Sequence, residues 1–267
     1  MTDKNRLDVL LTDRGLAESR SQAQRLVMAG QVRVDGQVVL KPATRFPVDV
    51  EIHVEQGPPF VSRGGEKLAA ALQAFGLTDL SGLTCADVGA STGGFTDCLL
   101  QAGARLVYAI DVGYGELHWK LRNDPRVVVM ERTNARSVKN LPEPVDLVTV
   151  DASFISLKVL LPVIQGWFEG RAGQVVALIK PQFEAGRAEV ARGAGVVRDP
   201  AVHRHVLQDV IGYAVGQGWQ YRGLIRSPLL GPKGNTEFLV WLSTGMEAEQ
   251  PDYLARIEQL FSPEDQD

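Results

Sequence analysis

Apolar residues recur along this chain in two rhythms, and the switch between them marks its elements. Leu7, Leu10 and Leu11 fall at helical spacing and the run stops at Gly15, a natural helix end. Ser19 then caps a second helix with Ala23, Leu26 and Val27 inward and Gly30 beyond it. From Gln31 to Leu40 the period drops to two around Asp35-Gly36, which predicts a hairpin, and a further strand follows near Val50 to Val54. Gln56-Gly57-Pro58-Pro59 reads as a linker. After it, Leu68, Ala71, Leu72 and Phe75 share one helical face. Short apolar runs suited to buried strands come next, at Leu83–Val88, Leu106–Ile110, Val127–Met130, Val145–Val150 and Gln174–Ile179. Helical stretches separate them, among them Phe95–Ala102 and Leu157–Phe168. Asp199-Pro200 opens the longest helix, with Val202, Val206, Val210 and Tyr213 on its inner side. Tyr221–Ile225 and Glu237–Leu242 are the last strand candidates. Alternating strands and helices predict an α/β fold, a mostly parallel sheet with helices on both faces, behind a small α+β unit. The expected division is 1–59, 60–245 and a tail over 246–267.

Composition leaves that picture in place and adds a charge asymmetry. The 267 residues are 45% hydrophobic and 22% charged, as in ordinary globular chains. Residues 1–46 carry eight Lys/Arg against five Asp/Glu, whereas 244–267 carry seven acids and one base, Arg256. The acidic end is expected to be solvated, and the basic head is compatible with a phosphate-rich partner. Cys85 and Cys98 stand at apolar positions and suggest neither a disulfide framework nor a metal motif. The N-terminus shows no signal-peptide pattern, and the most apolar stretch, Ala152–Phe168, is interrupted by Lys158 and Pro162. A cytoplasmic protein with no membrane partner is the expectation.

Arg6-Leu7-Asp8, Gly15-Leu16, Ser19-Arg20, Ala23, Gly30, Val32, Val34 and Gly36 together resemble the alpha-L RNA-binding domain first described in small-subunit ribosomal protein S-four. The resemblance implies that Lys4, Arg6, Arg14, Arg20, Arg25 and Arg33 form a positive face toward folded RNA.

The sheet's ligand would be held at Asp87-Val88-Gly89-Ala90-Ser91-Thr92-Gly93-Gly94-Phe95-Thr96-Asp97, a glycine-rich turn between a strand and a helix. Its glycines do not fit the dinucleotide spacing, and no Gly-Lys-Ser/Thr follows for a phosphate loop. Asp87 could face a cationic amine, and Asp111, ending the next strand, could hydrogen-bond ribose hydroxyls. The pair favours S-adenosylmethionine, although either acid could instead serve its turn or strand end. Four charged residues recur near the carboxyl ends of the strands: Lys67, Asp151, Lys180 and Glu237. If they converge, the two lysines disfavour each other's charge and the carboxylates partly restore it. A lysine poised to be neutral can assist a ribose hydroxyl as base.

Val61-Ser62-Arg63-Gly64, the Asp87–Asp97 turn, Asp151-Ala152-Ser153-Phe154-Ile155-Ser156-Leu157, Ile179–Glu184 and Gly234-Asn235-Thr236-Glu237-Phe238 make the chain, over residues 5 to about 243, similar to the TlyA family of rRNA 2′-O-methyltransferases, some of which carry the name haemolysin. The resemblance implies a Rossmann-like, FtsJ-type methyltransferase sheet. It also implies a Lys-Asp-Lys-Glu tetrad at Lys67, Asp151, Lys180 and Glu237, with Lys180 as base. Gly89, Ala90, Ser91, Gly93, Gly94 and Phe95 would form the cofactor turn, with a second edge near Arg132-Thr133-Asn134. Asp151-Ala152-Ser153-Phe154 replaces the family's Asp-Val-Ser-Phe and keeps the carboxylate. The implied substrate is cytidine in ribosomal RNA, free or in a subunit. Arg63 and the segments 186–198 and 227–236 are predicted to close on it. A non-catalytic RNA-binding protein and a membrane-active haemolysin are the alternatives.

Overall fold

Both rhythms become the expected elements in the first of two compact units, which ends at Pro59. The computed structural model describes residues 3–55, 57–186, 193–245 and 251–262. Helices α1 (Leu7–Asp13) and α2 (Arg20–Met28) lie together, and Ser19 caps α2 by accepting from the Gln22 N–H. Strands β2 (Val32–Val34) and β3 (Gln37–Val38) pair antiparallel across Asp35 and Gly36. Both turn residues have positive φ, +49° and +78°, as a two-residue hairpin of matching twist requires. β5 (Ile52–Val54) joins the other edge of β2. β1 (Lys4–Arg6) and β4 (Arg45–Pro47), which pair with each other, are too short for their periodicity to predict them. Leu7, Leu11, Ala23, Val27 and Val32 are fully buried in this unit's own core.

The second unit is built on a seven-stranded sheet. Its strands are β6 (Thr84–Val88), β7 (Leu106–Ile110), β8 (Val127–Met130), β9 (Leu147–Val150), β10 (Gly173–Ile179), β11 (Gln220–Arg226) and β12 (Phe238–Thr244), in the order β11-β12-β10-β9-β6-β7-β8. β6 to β10 are parallel; β12 runs antiparallel between β10 and β11. Helices α3 (Gly64–Ala74), α4 (Gly94–Gln101) and α5 (Trp119–Arg122) contribute to the core on one side. A second core is formed with α6 (Leu157–Gly166), α8 (Pro200–Gly216) and α9 (Tyr253–Gln259). α7 (Pro181–Glu184) is a single turn after β10.

Two features of this sheet place the site. β7 and β8 extend from β6 in one direction and β9 and β10 in the other, so a switch point lies between the carboxyl ends of β6 and β9. The antiparallel register pairs Ile179 with Phe238, which sets the residue after β10, Lys180, beside the residue before β12, Glu237.

The C-terminal end departs from the solvated tail expected over 246–267. Within it Tyr253–Gln259 forms α9, whose Ile257 is fully buried, and Phe261 packs its ring near His203 and Phe238. Acidic residues occupy only the outer side of this amphipathic turn, so net charge concealed an apolar stripe at 253, 257, 260 and 261.

Candidate active site

The turn after β6 is shaped by what its glycines allow. Gly89 has φ +84°, and a Cβ there would stand 2.6 Å from the Asp151 carbonyl oxygen at the end of β9. Gly94 lets the start of α4 approach the start of α3: a Cβ would lie 2.8 Å from the Gly65 nitrogen. Gly93 instead rests on Leu117 and Leu121, beneath the turn. The approach of α3 is fixed by Asp97, buried in α4, which accepts from the Val61 N–H at 2.9 Å and so positions the Ser62-Arg63-Gly64 segment.

Two clefts meet over this turn and share Gly89, Ser91 and Asp151. One, of about 560 Å³, is lined by Asp111, Glu116, Asn134, Ser153 and Phe154 among others. The other, of about 330 Å³, is lined by Arg63, Lys67, Thr92, Gly94, Phe95 and Leu230 among others. Asp111 is half-buried and holds the turn: its Oδ2 accepts from the Ser91 N–H at 2.8 Å and its Oδ1 from the Gly113 N–H at 2.7 Å. Each oxygen can accept a further hydrogen bond, and the residue lines the larger cleft. Asn134 caps the short 3-10 helix Ala135–Ser137 by accepting from the Arg136 N–H. Ser91 has φ +49° and Phe154 +64°, uncommon values for residues with side chains, and both line the larger cleft. The Phe154 ring is 89% exposed and sits 4.8 Å from that of Phe183.

Asp87 does not face the cleft, contrary to the expectation that it meets a cationic amine. Its carboxylate is fully buried, accepts from Thr96 at 2.7 Å and Thr149 at 3.1 Å, and lines neither cleft. It braces β6, α4 and β9 beneath the turn, since a side chain in a parallel strand's interior faces core, not cleft. Burial pushes this carboxyl up to about 7 against the pull of the two hydroxyls, with Asp151 adding to the rise. A carboxyl whose pKa is higher when folded than the ordinary value near 4 stabilises most at low pH, and that contribution is lost as pH rises toward 7. Asp87→Asn cannot titrate. Urea unfolding at pH 4.5 and 7.5 is therefore expected to show the variant gaining on the wild type at the higher pH; a pH-independent difference would refute this.

The four charged residues do converge, as two ion pairs. Lys67 Nζ lies 2.6 Å from Glu237 Oε2, and Lys180 Nζ lies 2.6 Å from Asp151 Oδ1. Lys180 also donates to the Ser153 hydroxyl at 3.1 Å and to the Asp151 carbonyl at 3.4 Å. Both lysines are 8% exposed and Glu237 is 1% exposed; of the four, Lys67 lines the smaller cleft and Asp151 both, with Glu237 and Lys180 paired to them from behind. Glu184, on α7, accepts from Ser156 and the Leu157 N–H; burial raises its carboxyl above the usual range. Thr92 of the turn lines the smaller cleft, and Glu116, which the sequence did not point to, lines the larger. Glu116, which accepts from Ser91, belongs to a loop without periodicity that would have flagged it.

In the first unit the expected positive face is partly neutralised. Buried Asp8 accepts from Arg6, Arg20 and Gln24, and Arg6's bonds, with help from the other two, hold its carboxyl well below the usual range. Arg14 donates to the Val48 and Val50 carbonyls, and Arg33 pairs with Glu55 at 2.5 Å. Lys4 and Arg25 are exposed. Of the segments predicted to close on RNA, 187–192 lies outside the described residues. In the 227–236 segment Asn235 is buried; its amide accepts from the Val197 N–H and donates to the Gly195 carbonyl.

Residues 60–244 match the FtsJ-like methyltransferase family, and residues 5–52 match the S4 domain. The chain is 48% identical over 250 residues to the 16S/23S rRNA (cytidine-2′-O)-methyltransferase TlyA of Mycobacterium tuberculosis, covering 91% of each. It is 41% identical over 244 residues to haemolysin A of Brachyspira hyodysenteriae, covering 88% of this chain and 98% of that one. The solved structure of a candidate haemolysin from Streptococcus thermophilus superposes with a TM-score of 0.71 at 42% identity, over 97% of this chain and 94% of the other.

Proposed function

The chain belongs to the FtsJ-like methyltransferase family, and from that premise we propose that it methylates the ribose 2′-hydroxyl of cytidine in ribosomal RNA, using S-adenosylmethionine. The observation that carries this reading is the pair of ion pairs, Lys67–Glu237 and Lys180–Asp151, at the meeting of two clefts over the glycine-rich turn. The larger cleft is within the range of about 300–1,000 Å³ usual for small-molecule sites. Its polar groups fit the cofactor: the Asp111 carboxylate can accept from ribose hydroxyls, and the backbone of Gly89 to Ser91 allows close approach. Bound there, S-adenosylmethionine supplies an electrophilic methyl group.

The chain's own residues would do the rest. Lys180, held by Asp151 and Ser153, would in its neutral form take the proton from the ribose hydroxyl as that oxygen attacks the methyl carbon, its ammonium proton having first gone to solvent. Lys67 and Glu237 form the neighbouring ion pair, and the turn would hold the cofactor. Positioning and base assistance then supply most of the rate. Among the described residues no helix is long and apolar enough to cross a membrane. A cytoplasmic setting goes with this proposed substrate.

Transfer of tritium from labelled S-adenosylmethionine onto separated rRNAs, followed by nuclease mapping, tests the reading. Label at a cytidine is expected with the wild type and none with Asp151→Ala; no labelled RNA with the wild type would overturn it.

RNA affinity is assigned to the S4 unit through its exposed cations. Arg25→Ala is expected to weaken RNA binding severalfold and to lower the slope of log K against log salt by about one, as for the loss of a single phosphate contact. Filter binding across a salt series measures it, and an unchanged slope would remove Arg25 from the interface.

A further inference from the structure

Gln182 occupies the middle of α7, two residues after Lys180, and turns its amide onto the other ion pair. Its Nε2 donates to Glu237 Oε1 at 3.4 Å, while Glu237 Oε2 holds Lys67 at 2.6 Å. Gly231 leaves room for the same oxygen: a Cβ there would stand 2.5 Å from Oε1. The Glu237 carboxylate, 1% exposed, thus meets an ammonium at one oxygen and the Gln182 amide at the other.

The orientation of the Gln182 amide is dictated by this contact. Reversed, it would set its oxygen against a carboxylate oxygen. In the orientation it has, Oε1 is buried and has no hydrogen-bond partner among the described residues. A buried acceptor left unmatched is costly, and a leucine or methionine would fill the space without that cost. The amide is therefore maintained for what its N–H does. Resting on the methyl-transfer reading above, we propose that Gln182 is a positioning residue: it couples the Lys180–Asp151 pair to the Lys67–Glu237 pair by holding Glu237 from the same turn that carries Lys180.

The charged groups of the two pairs are Glu237 ahead of β12, Lys67 on α3, Lys180 after β10 and Asp151 after β9; Glu184, on α7 itself, is engaged by Ser156 and Leu157. Two near-isosteric substitutions separate positioning from packing. Gln182→Leu removes the N–H and is expected to lower kcat about 10- to 30-fold at every pH, with cofactor KM and RNA affinity within twofold, because a slight misplacement of reacting groups is expensive. Gln182→Glu sets a second carboxylate against Glu237, which favours charged lysines. The rising limb of kcat against pH should move up by about one unit, with activity approaching that of the wild type above pH 9.

Wild type and Lys180→Ala run alongside. An unchanged kcat in Gln182→Leu, a loss confined to KM, or an unmoved limb in Gln182→Glu overturns the proposal. If Gln182→Leu does not fold, the limb measured with Gln182→Glu decides. A wild type that methylates no RNA overturns the methyl-transfer reading instead, so the two failures are distinguishable.

Discussion

Lys180→Ala is expected to lower methyl transfer by about 10³-fold, the middle of the range for a general base, while cofactor and RNA affinities stay within twofold. Lys180 Nζ contacts Asp151 and Ser153 and has no role in shaping either cleft's floor, so its removal leaves the turn and Asp111 in place. Asp151 is partly exposed, and water can take over solvation of its carboxylate. Lys180→Arg is expected to fare no better, because a guanidinium stays charged at any working pH and cannot accept the proton. A single-turnover tritium assay with saturating cofactor measures both variants. Activity of Lys180→Arg within tenfold of the wild type would mean that charge alone suffices and that another group is the base. Lys67→Ala tests something else: it strands Glu237, 1% exposed, without its ammonium, a change that costs about 3–5 kcal/mol of stability where a buried pair is broken. Its activity loss must be read beside its melting curve.

Gly89→Ala is expected to abolish measurable cofactor binding while the sheet still folds. Alanine in a left-handed conformation costs roughly 1–2 kcal/mol. Here the new methyl group also meets the Asp151 carbonyl carbon at 2.9 Å and its oxygen at 2.6 Å, neither of which is a side-chain tip that can swing away. Relief requires β6 and β9 to part at their carboxyl ends, which displaces both the turn and the Asp151 partner of Lys180. Isothermal titration with S-adenosylmethionine should show a loss of more than about 100-fold, equivalent to roughly 2.7 kcal/mol. Circular dichroism should stay near that of the wild type, because the cores on both faces of the sheet lie away from this contact. Binding within threefold of the wild type would show that the close approach is not needed.

Much of this site could be read from single segments because the physics there is local. The Asp35-Gly36 hairpin follows from two positive φ values, and α2 from a serine cap and an apolar stripe. The β6-turn-α4 unit follows from an apolar run meeting glycines. Asp111 was legible as a strand-end acid, although its bonds to Ser91 and Gly113 were not. Asp87 was misread because sequence shows that a carboxylate adjoins the turn but not which side of the strand it leaves from. The end of the chain was misread because its acids outweighed a short apolar stripe.

The sequence by itself determined the elements, the glycine-rich turn and the identities of the four charged residues, since each depends on neighbours within a few positions. Tertiary structure alone decided that Lys67 meets Glu237, 170 positions away, and that Lys180 meets Asp151. Both pairings follow from strand order and register. β9 beside β6 puts Asp151 against Gly89, and β12, running antiparallel against β10, returns its first end to the edge where Lys180 stands. Register is set by how the apolar faces of all seven strands pack at once, and that information is spread over the whole sheet rather than held in any one segment.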